Sequence, residues 1–130
     1  MTLTADTQVL STTALPTLVP SAAADSWHTV CPLGALDPLW GEVALVNGEE
    51  VALVRLPSDE VVAVSHWDPY AQAPVMARGI VGSRDGEPTL ASPLHKQVYS
   101  LATGQCLSDP TLSLRTFPVR VREQMVQVAA

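Results

Sequence analysis

Short apolar runs separated by turn formers dominate the chain from Ser26 onward. The turns recur about every eight to twelve residues, which is the rhythm of a β-sandwich or small barrel. WHTVC (27–31) reads as a first strand and GEVALV (41–46) as a second. The second runs into NGEE (47–50), where Asn47-Gly48 predicts a tight hairpin because both residue types tolerate positive φ. EVALVRL (50–56) follows, with Ala52, Val54 and Leu56 on one face and Arg55 on the other. PSD (57–59) then turns the chain into EVVAVSHW (60–67). TLAS (89–92) and QVYSLA (97–102) come later, with Thr103-Gly104 as the turn before QCL (105–107). The last stretch, RTFPVRVREQMVQVAA (115–130), predicts a closing hairpin. Phe117, Val119 and Val121 alternate there with Pro118, Arg120 and Arg122, so one face is apolar and the other wet. LDPLW (36–40) suits a short helical turn. APVMARGIVGSRDG (73–86) has helix-compatible residues but is broken by glycine and has no cap, so it reads as a loop. The pattern as a whole predicts an all-β sandwich of about eight to ten strands.

The first 25 residues have a different texture. They are rich in Thr, Ala, Ser and Pro and show no sustained period. Such a segment cannot bury enough apolar surface to offset its ordering entropy, so 1–25 is expected to be a flexible tail and 26–130 the folded domain. With 130 residues the chain is one domain's worth and long enough for a real core. Eleven prolines and seven glycines speak against long helices. Thirteen acidic residues against seven basic ones argue against a nucleic-acid or anionic-membrane partner. The apolar runs are too short to span a bilayer, and the first residues make a poor signal peptide, so the expected compartment is the cytoplasm. Cys31 and Cys106 are the two cysteines, far apart in sequence. Outside a secretory context they are expected to be buried thiols.

Two stretches stand out, SHWDPYAQAP (65–74) and SPLHKQVYS (92–100). Each begins where a predicted strand ends, and each has a proline, Pro69 or Pro93, that stiffens a loop tip. Two rigid tips facing each other make a clamp. A Rieske cluster is held in this way, with two Cys on one iron and two His on the other.

The domain resembles the small subunits of assimilatory NAD(P)H-dependent nitrite reductases, a family with the Rieske-type β fold but no iron–sulfur cluster. The resemblance is carried by HWDPYAQAPVMARGIVGSRDGEPTLASPLHKQVYSLATGQCLSDP (66–110) and LRTFPVRV (114–121), and it leaves out the tail. It implies a Rieske-like β-sandwich with the two proline-tipped loops at one end. In a cluster-bearing Rieske protein the loops read Cys-Pro-His and Cys-Pro-x-His. Laid on this chain, the first Cys falls on Asp68, the first His on Tyr70, the second Cys on Ser92 and the last His on His95. Asp and Ser do not supply the soft thiolates that an iron–sulfide cluster needs, and Tyr is a poor substitute for His at its iron. His95 survives as a lone imidazole and is not assigned as a ligand.

The resemblance further implies an accessory subunit. Its large partner would carry FAD, an iron–sulfur cluster and sirohaem and reduce nitrite to ammonium with electrons from a nicotinamide nucleotide. The residues agree that the chemistry lies elsewhere: there is no Gly-rich dinucleotide loop, no Ser/His/Asp arrangement and no cysteine cluster. No catalytic, cofactor-binding or metal-binding residue is therefore assigned in this chain. Binding remains, and the loop pair is the natural surface for it, with Trp67, Tyr70, His95 and Lys96 as interface candidates. Simpler readings stand beside these. Trp67 and Tyr70 also suit the edge of a core, Asp68 a turn, His66 and His95 hydrogen-bonded loop positions, and Arg78, Arg84 and Lys96 solvated surface. Two other functions stay open, a Rieske-type ferredoxin that carries electrons and an interaction domain of a different reductase.

Overall fold

A computed structural model of the chain describes residues 2–4, 27–94 and 97–130. The strands are β1 (Thr2–Thr4), β2 (Trp27–Pro32), β3 (Glu42–Val46), β4 (Glu49–Arg55), β5 (Val61–Ser65), β6 (Trp67–Asp68), β7 (Ala73–Pro74), β8 (Ile80–Arg84), β9 (Glu87–Ala91), β10 (Val98–Ser100), β11 (Thr116–Phe117), β12 (Val119–Arg122) and β13 (Met125–Ala129). Among the described residues from Trp27 onward that makes twelve strands rather than eight to ten, because four are only two or three residues long. Helix is confined there to the 3-10 turns Leu33–Ala35 and Met76–Arg78.

The strands form a layered all-β structure. A five-stranded sheet in the order β1-β3-β4-β5-β11 lies in the middle. On one face Val51 and Leu53 of β4 join Ala44, Val61, Ala63 and Phe117 against Val126 and Val128 of the β12-β13-β2 sheet. On the other face Ala52, Val54 and Val64 pack against Leu90 and Tyr99 of the β10-β9-β8 sheet, with Met76 and Leu114 filling in. The central sheet therefore has a core on each side. The sequence reading put Arg55 of β4 on the face opposite Ala52, Val54 and Leu56. In the structure that face carries Val51 and Leu53, both fully buried. Arg55 closes its end by donating to the Leu36 carbonyl at 2.9 Å and pairing with Asp59 at 2.8 Å. A strand buried on both faces shows a continuous apolar run, so alternation cannot reveal its second face.

Turn chemistry sets the hairpins. Asn47 and Gly48 both have positive φ, at 50° and 83°, as the tight turn between β3 and β4 requires. Asp85 and Gly86 repeat this at 53° and 84°, joining β8 to β9. The loop expected over 73–86 is therefore corrected: it contains all of β7, the 3-10 turn Met76–Arg78 and all of β8. Strand β8 has only one half-buried residue, Val81, so no apolar stripe marks it. The helical turn expected at 36–40 lies earlier, at Leu33–Ala35, and Pro38 instead makes an isolated bridge to Arg55. The closing hairpin forms between β12 and β13, but its expected apolar face ends early, since Val121 is exposed. Phe117 belongs to β11, beside β5 in the central sheet.

At the N-terminus, Thr2–Thr4 forms β1, parallel to β3 in the register Thr2↔Val43 to Thr4↔Leu45. The tail reading of 1–25 made no allowance for a strand there. Residues 5–26 lie outside the described residues.

Candidate functional site

The two proline-tipped stretches meet at one end of the domain. The first is a small hairpin in which β6 pairs with β7, bringing Trp67 opposite Pro74 and Asp68 opposite Ala73. Its turn closes through a bond from the Gln72 N–H to the Asp68 carbonyl at 2.7 Å, with Gln72 at a φ of 57°. The second loop leaves the end of β9. It is closed by Ser92, whose N–H donates to the Gln97 carbonyl at 2.8 Å and whose hydroxyl accepts the Leu94 N–H at 3.2 Å.

The loops are joined by side chains. Ser92 Oγ donates to Asp68 Oδ2 at 2.5 Å. Asp68 Oδ1 accepts the N–H groups of Tyr70 at 2.9 Å and Ala71 at 3.2 Å, and the Tyr99 hydroxyl approaches it at 3.4 Å. The carboxylate is fully buried, and Ser92 nearly so. Burial alone would push its pKa up, but the hydrogen bonds from Ser92, Tyr70, Ala71 and Tyr99 outweigh it and hold the carboxyl below its ordinary value. Burial, with the Asp68 charge beside it, pushes the Tyr99 phenol well above its usual range, so Tyr99 stays a donor. The positions matched to the two cluster thiolates are thus brought together, and they bond to each other.

This donor set does not fit an iron–sulfur cluster. Its atoms are hard oxygens already engaged in hydrogen bonds, whereas the cluster is held by thiolates. Cys31 and Cys106 do not come together to supply a thiolate pair, for they lie in separate cores on opposite faces of the central sheet. Among the described residues no three His, Cys, Asp or Glu side chains gather as a metal site.

The interface candidates fall into two groups. Trp67 is 49% exposed and Tyr70 51%, so neither is a core residue, and Leu94 at 52% joins them on the tips. His95 and Lys96 lie outside the described residues. Arg78 and Arg84 are exposed, in line with the solvated reading.

Two residues of the site escaped the sequence reading in this role. Tyr99 is one; its inward position on β10, one strand beyond the second loop, is the signal that could have found it. His66 is the other. It is buried at the end of β5, where its Nδ1 accepts the Ala77 N–H at 3.0 Å and its carbonyl accepts the Met76 N–H at 3.0 Å. These bonds staple the 75–79 strap behind the first loop. Burial pushes the His66 pKa below its ordinary 6.5; nearby Arg78 adds to this and Glu50 opposes it. The neutral ring, protonated at Nε2, is the form that accepts from Ala77.

A pH dependence follows. His66 and Asp68 both bind protons more readily in the unfolded chain than in the folded one. Their contributions are fully present above 6.5 and 3.8 respectively and are lost as the pH falls below those values. Tyr99 acts in the opposite sense, and its contribution is lost as the pH rises above 10. Burial also raises the Cys31 thiol above its ordinary 9.0, so it acts in the same sense as Tyr99 from a lower pH, and urea midpoints measured across pH should form a plateau between 6.5 and 9.0. His66→Gln should remove the first acid step. Midpoints that rise steadily toward acid would contradict these assignments.

Comparison with known proteins places the chain. The Rieske-like [2Fe-2S] domain family matches residues 26–129. The nitrite reductase (NADH) small subunit of Salmonella typhimurium is 38% identical over 103 residues, covering 78% of this chain and 95% of that one. A crystal structure from Mycobacterium tuberculosis, assigned as an NADH-dependent nitrite reductase small subunit, superposes with a TM-score of 0.78 at 43% identity, covering 80% of this chain and 94% of that one. The nitrite reductase [NAD(P)H] large subunit of Klebsiella oxytoca is 32% identical over 109 residues, which is 84% of this chain but only 11% of that protein. With its two loops locked through Asp68 and Ser92, the chain belongs to the Rieske-like domain family and, within it, to the small subunits of NADH-dependent nitrite reductase.

Proposed function

We propose that this chain is the accessory subunit of an NAD(P)H-dependent nitrite reductase, that it docks on the large catalytic chain through its paired loops, and that it carries no redox centre of its own. The Asp68–Ser92 hydrogen bond carries this reading, because it fills the place where a cluster would need two thiolates. What then remains at this end of the domain is a rigid tip bearing Trp67 and Tyr70, a surface suited to docking. His95 and Lys96 add donors to it in this reading. The Klebsiella protein supports the partnership, since a stretch like this chain is there covalently part of a large subunit. Covalent linkage supplies a high effective concentration; a separate chain must supply the same proximity by affinity.

In this reading the large subunit holds the FAD, the iron–sulfur cluster and the sirohaem, takes electrons from the nicotinamide nucleotide and converts nitrite to ammonium. The assembly works in the cytoplasm without nucleic acid or membrane. Among the described residues no helix is long and apolar enough to cross a membrane. The ferredoxin alternative would need thiolates where Asp68 and Ser92 bond to each other.

Iron and acid-labile sulfide, assayed after anaerobic purification of the full chain, test the redox part. Neither should be present. Iron at about one or two atoms per chain, the content of a partial or complete 2Fe–2S cluster, would overturn it.

A further inference from the structure

We propose that the docking surface for the large subunit extends past the loop tips, along the 75–79 strap to Trp40, and that the cleft beside Trp40 receives a side chain of that partner. This rests on the docking reading above.

The strap is a built, rigid connection. His66 holds it through the Ala77 and Met76 N–H groups, and Met76 and Ala77 are buried beneath it. Two glycines let it lie close. The Ala77 carbonyl oxygen occupies the place a β-carbon on Gly41 would take, and the Ala91 carbonyl oxygen does the same at Gly79. One end of the strap follows Pro74, the partner of Trp67 in the first loop. Its other end leads into Ile80, whose partner Ala91 immediately precedes Ser92. Trp67, Trp40 and Ile80 thus surround one fixed segment.

Trp40 and Ile80 are 62% and 69% exposed, more than any other large apolar residue among those described. Leu39 beside them is 49% exposed and adopts a φ of 65°, a costly conformation for a branched side chain without local hydrogen-bonding ability. Between Trp40 and the strap lies a cleft of about 250 Å³, lined by Leu39, Val43 and Ala77 with Glu42 and Arg78 at hand. A cleft of this size beside an exposed Trp, with both charge signs present, suits the insertion of one large side chain.

Area points the same way. The exposed parts of Trp67, Tyr70 and Leu94 amount to roughly 300 Å², against roughly 800 Å² per partner in a stable interface. Those three side chains alone are too small. Trp40, Leu39 and Ile80 continue the apolar surface over a strap that loses little entropy on docking. The large subunit is the fitting occupant because the Klebsiella chain joins a stretch like this one to the remainder of a large subunit.

The test uses the full chain and the purified large subunit of the same host. Hydrogen exchange should slow at residues 39–43 and 76–81 as well as at 67–72 when the complex forms. Trp40→Ala combined with Ile80→Ser should weaken the complex tenfold or more. Val121→Ser, an exposed position on the sheet across the central layer, should leave it unchanged. A complex that protects only the loops, or that tolerates the Trp40/Ile80 pair, overturns this inference while the docking reading stands. Failure of the unmodified chain to bind the large subunit at all overturns both. Self-association of the isolated chain that the Trp40/Ile80 pair abolishes would assign the surface to a second copy and also overturn it. Ile80→Ser alone, a change at a solvent-facing position, keeps the test valid if Trp40→Ala disturbs the fold.

Discussion

Replacing Asp68 with Ala is expected to destabilise the domain by about 3 kcal/mol, near the upper end for a single substitution. The change leaves four donors around a buried carboxylate without their acceptor: the Tyr70 and Ala71 N–H groups and the Ser92 and Tyr99 hydroxyls. Tyr70 and Ala71 have a route to water near the exposed tip, whereas the Tyr99 side chain is fully buried and has none. Ser92→Ala removes one donor and should cost about 1 kcal/mol. Urea unfolding of the two single variants and the double variant checks this. The double variant should be less damaged than the sum of the singles, since the Ser92–Asp68 bond would be counted twice. Asp68→Ala within about 0.5 kcal/mol of the unmodified chain would mean that the carboxylate does not hold the loops together.

That prediction draws on a residue the sequence did reveal. Asp68 and Ser92 were legible as a pair because two Pro-tipped stretches matched the loops of a cluster-binding fold, and the motif set both on cluster-thiolate positions. The motif did not say what replaces the cluster. A direct hydrogen bond between the two positions depends on how closely the loops approach, which sequence spacing leaves open. Tyr99 and His66 were harder still. Their partners, Asp68 and Ala77, lie 31 and 11 residues away, and the contacts exist only once the sheets have stacked.

The same distinction holds for the fold. The hairpin at Asn47-Gly48 was legible because a local backbone requirement selects those residues. Asp85-Gly86 carried the same signal, but the strand before it is solvent-exposed along most of its length and lacks an apolar stripe. The strap at Met76–Arg78 has no side-chain cap, and its place is set by His66 and by the close approaches at Gly41 and Gly79. The second buried face of β4 was hidden because alternation reports only one face at a time.

The second large effect concerns docking. Changing Trp67 and Tyr70 together to Ala should weaken binding to the large subunit by at least about 2 kcal/mol, or roughly 30-fold in Kd. Both rings stand on a tip whose backbone is fixed by the Asp68 carboxylate, so they dock with little loss of freedom. Both are about half exposed, so the isolated domain should stay folded, with its unfolding midpoint lowered by the loss of their buried halves. Calorimetric titration of each variant into the large subunit gives the affinity, and thermal unfolding gives the control. Unchanged affinity with an intact fold would move the contact away from the loops, to a sheet face.

The central claim is that this chain acts on its partner by binding and not by carrying electrons. The most direct test is NAD(P)H-dependent reduction of nitrite to ammonium by the large subunit, titrated with small subunit verified to be free of iron. Turnover should rise with added chain and saturate at a fixed ratio of the two subunits. Turnover that stays at the level of the large subunit alone until the added chain contains iron, and then follows that iron content, would contradict the account.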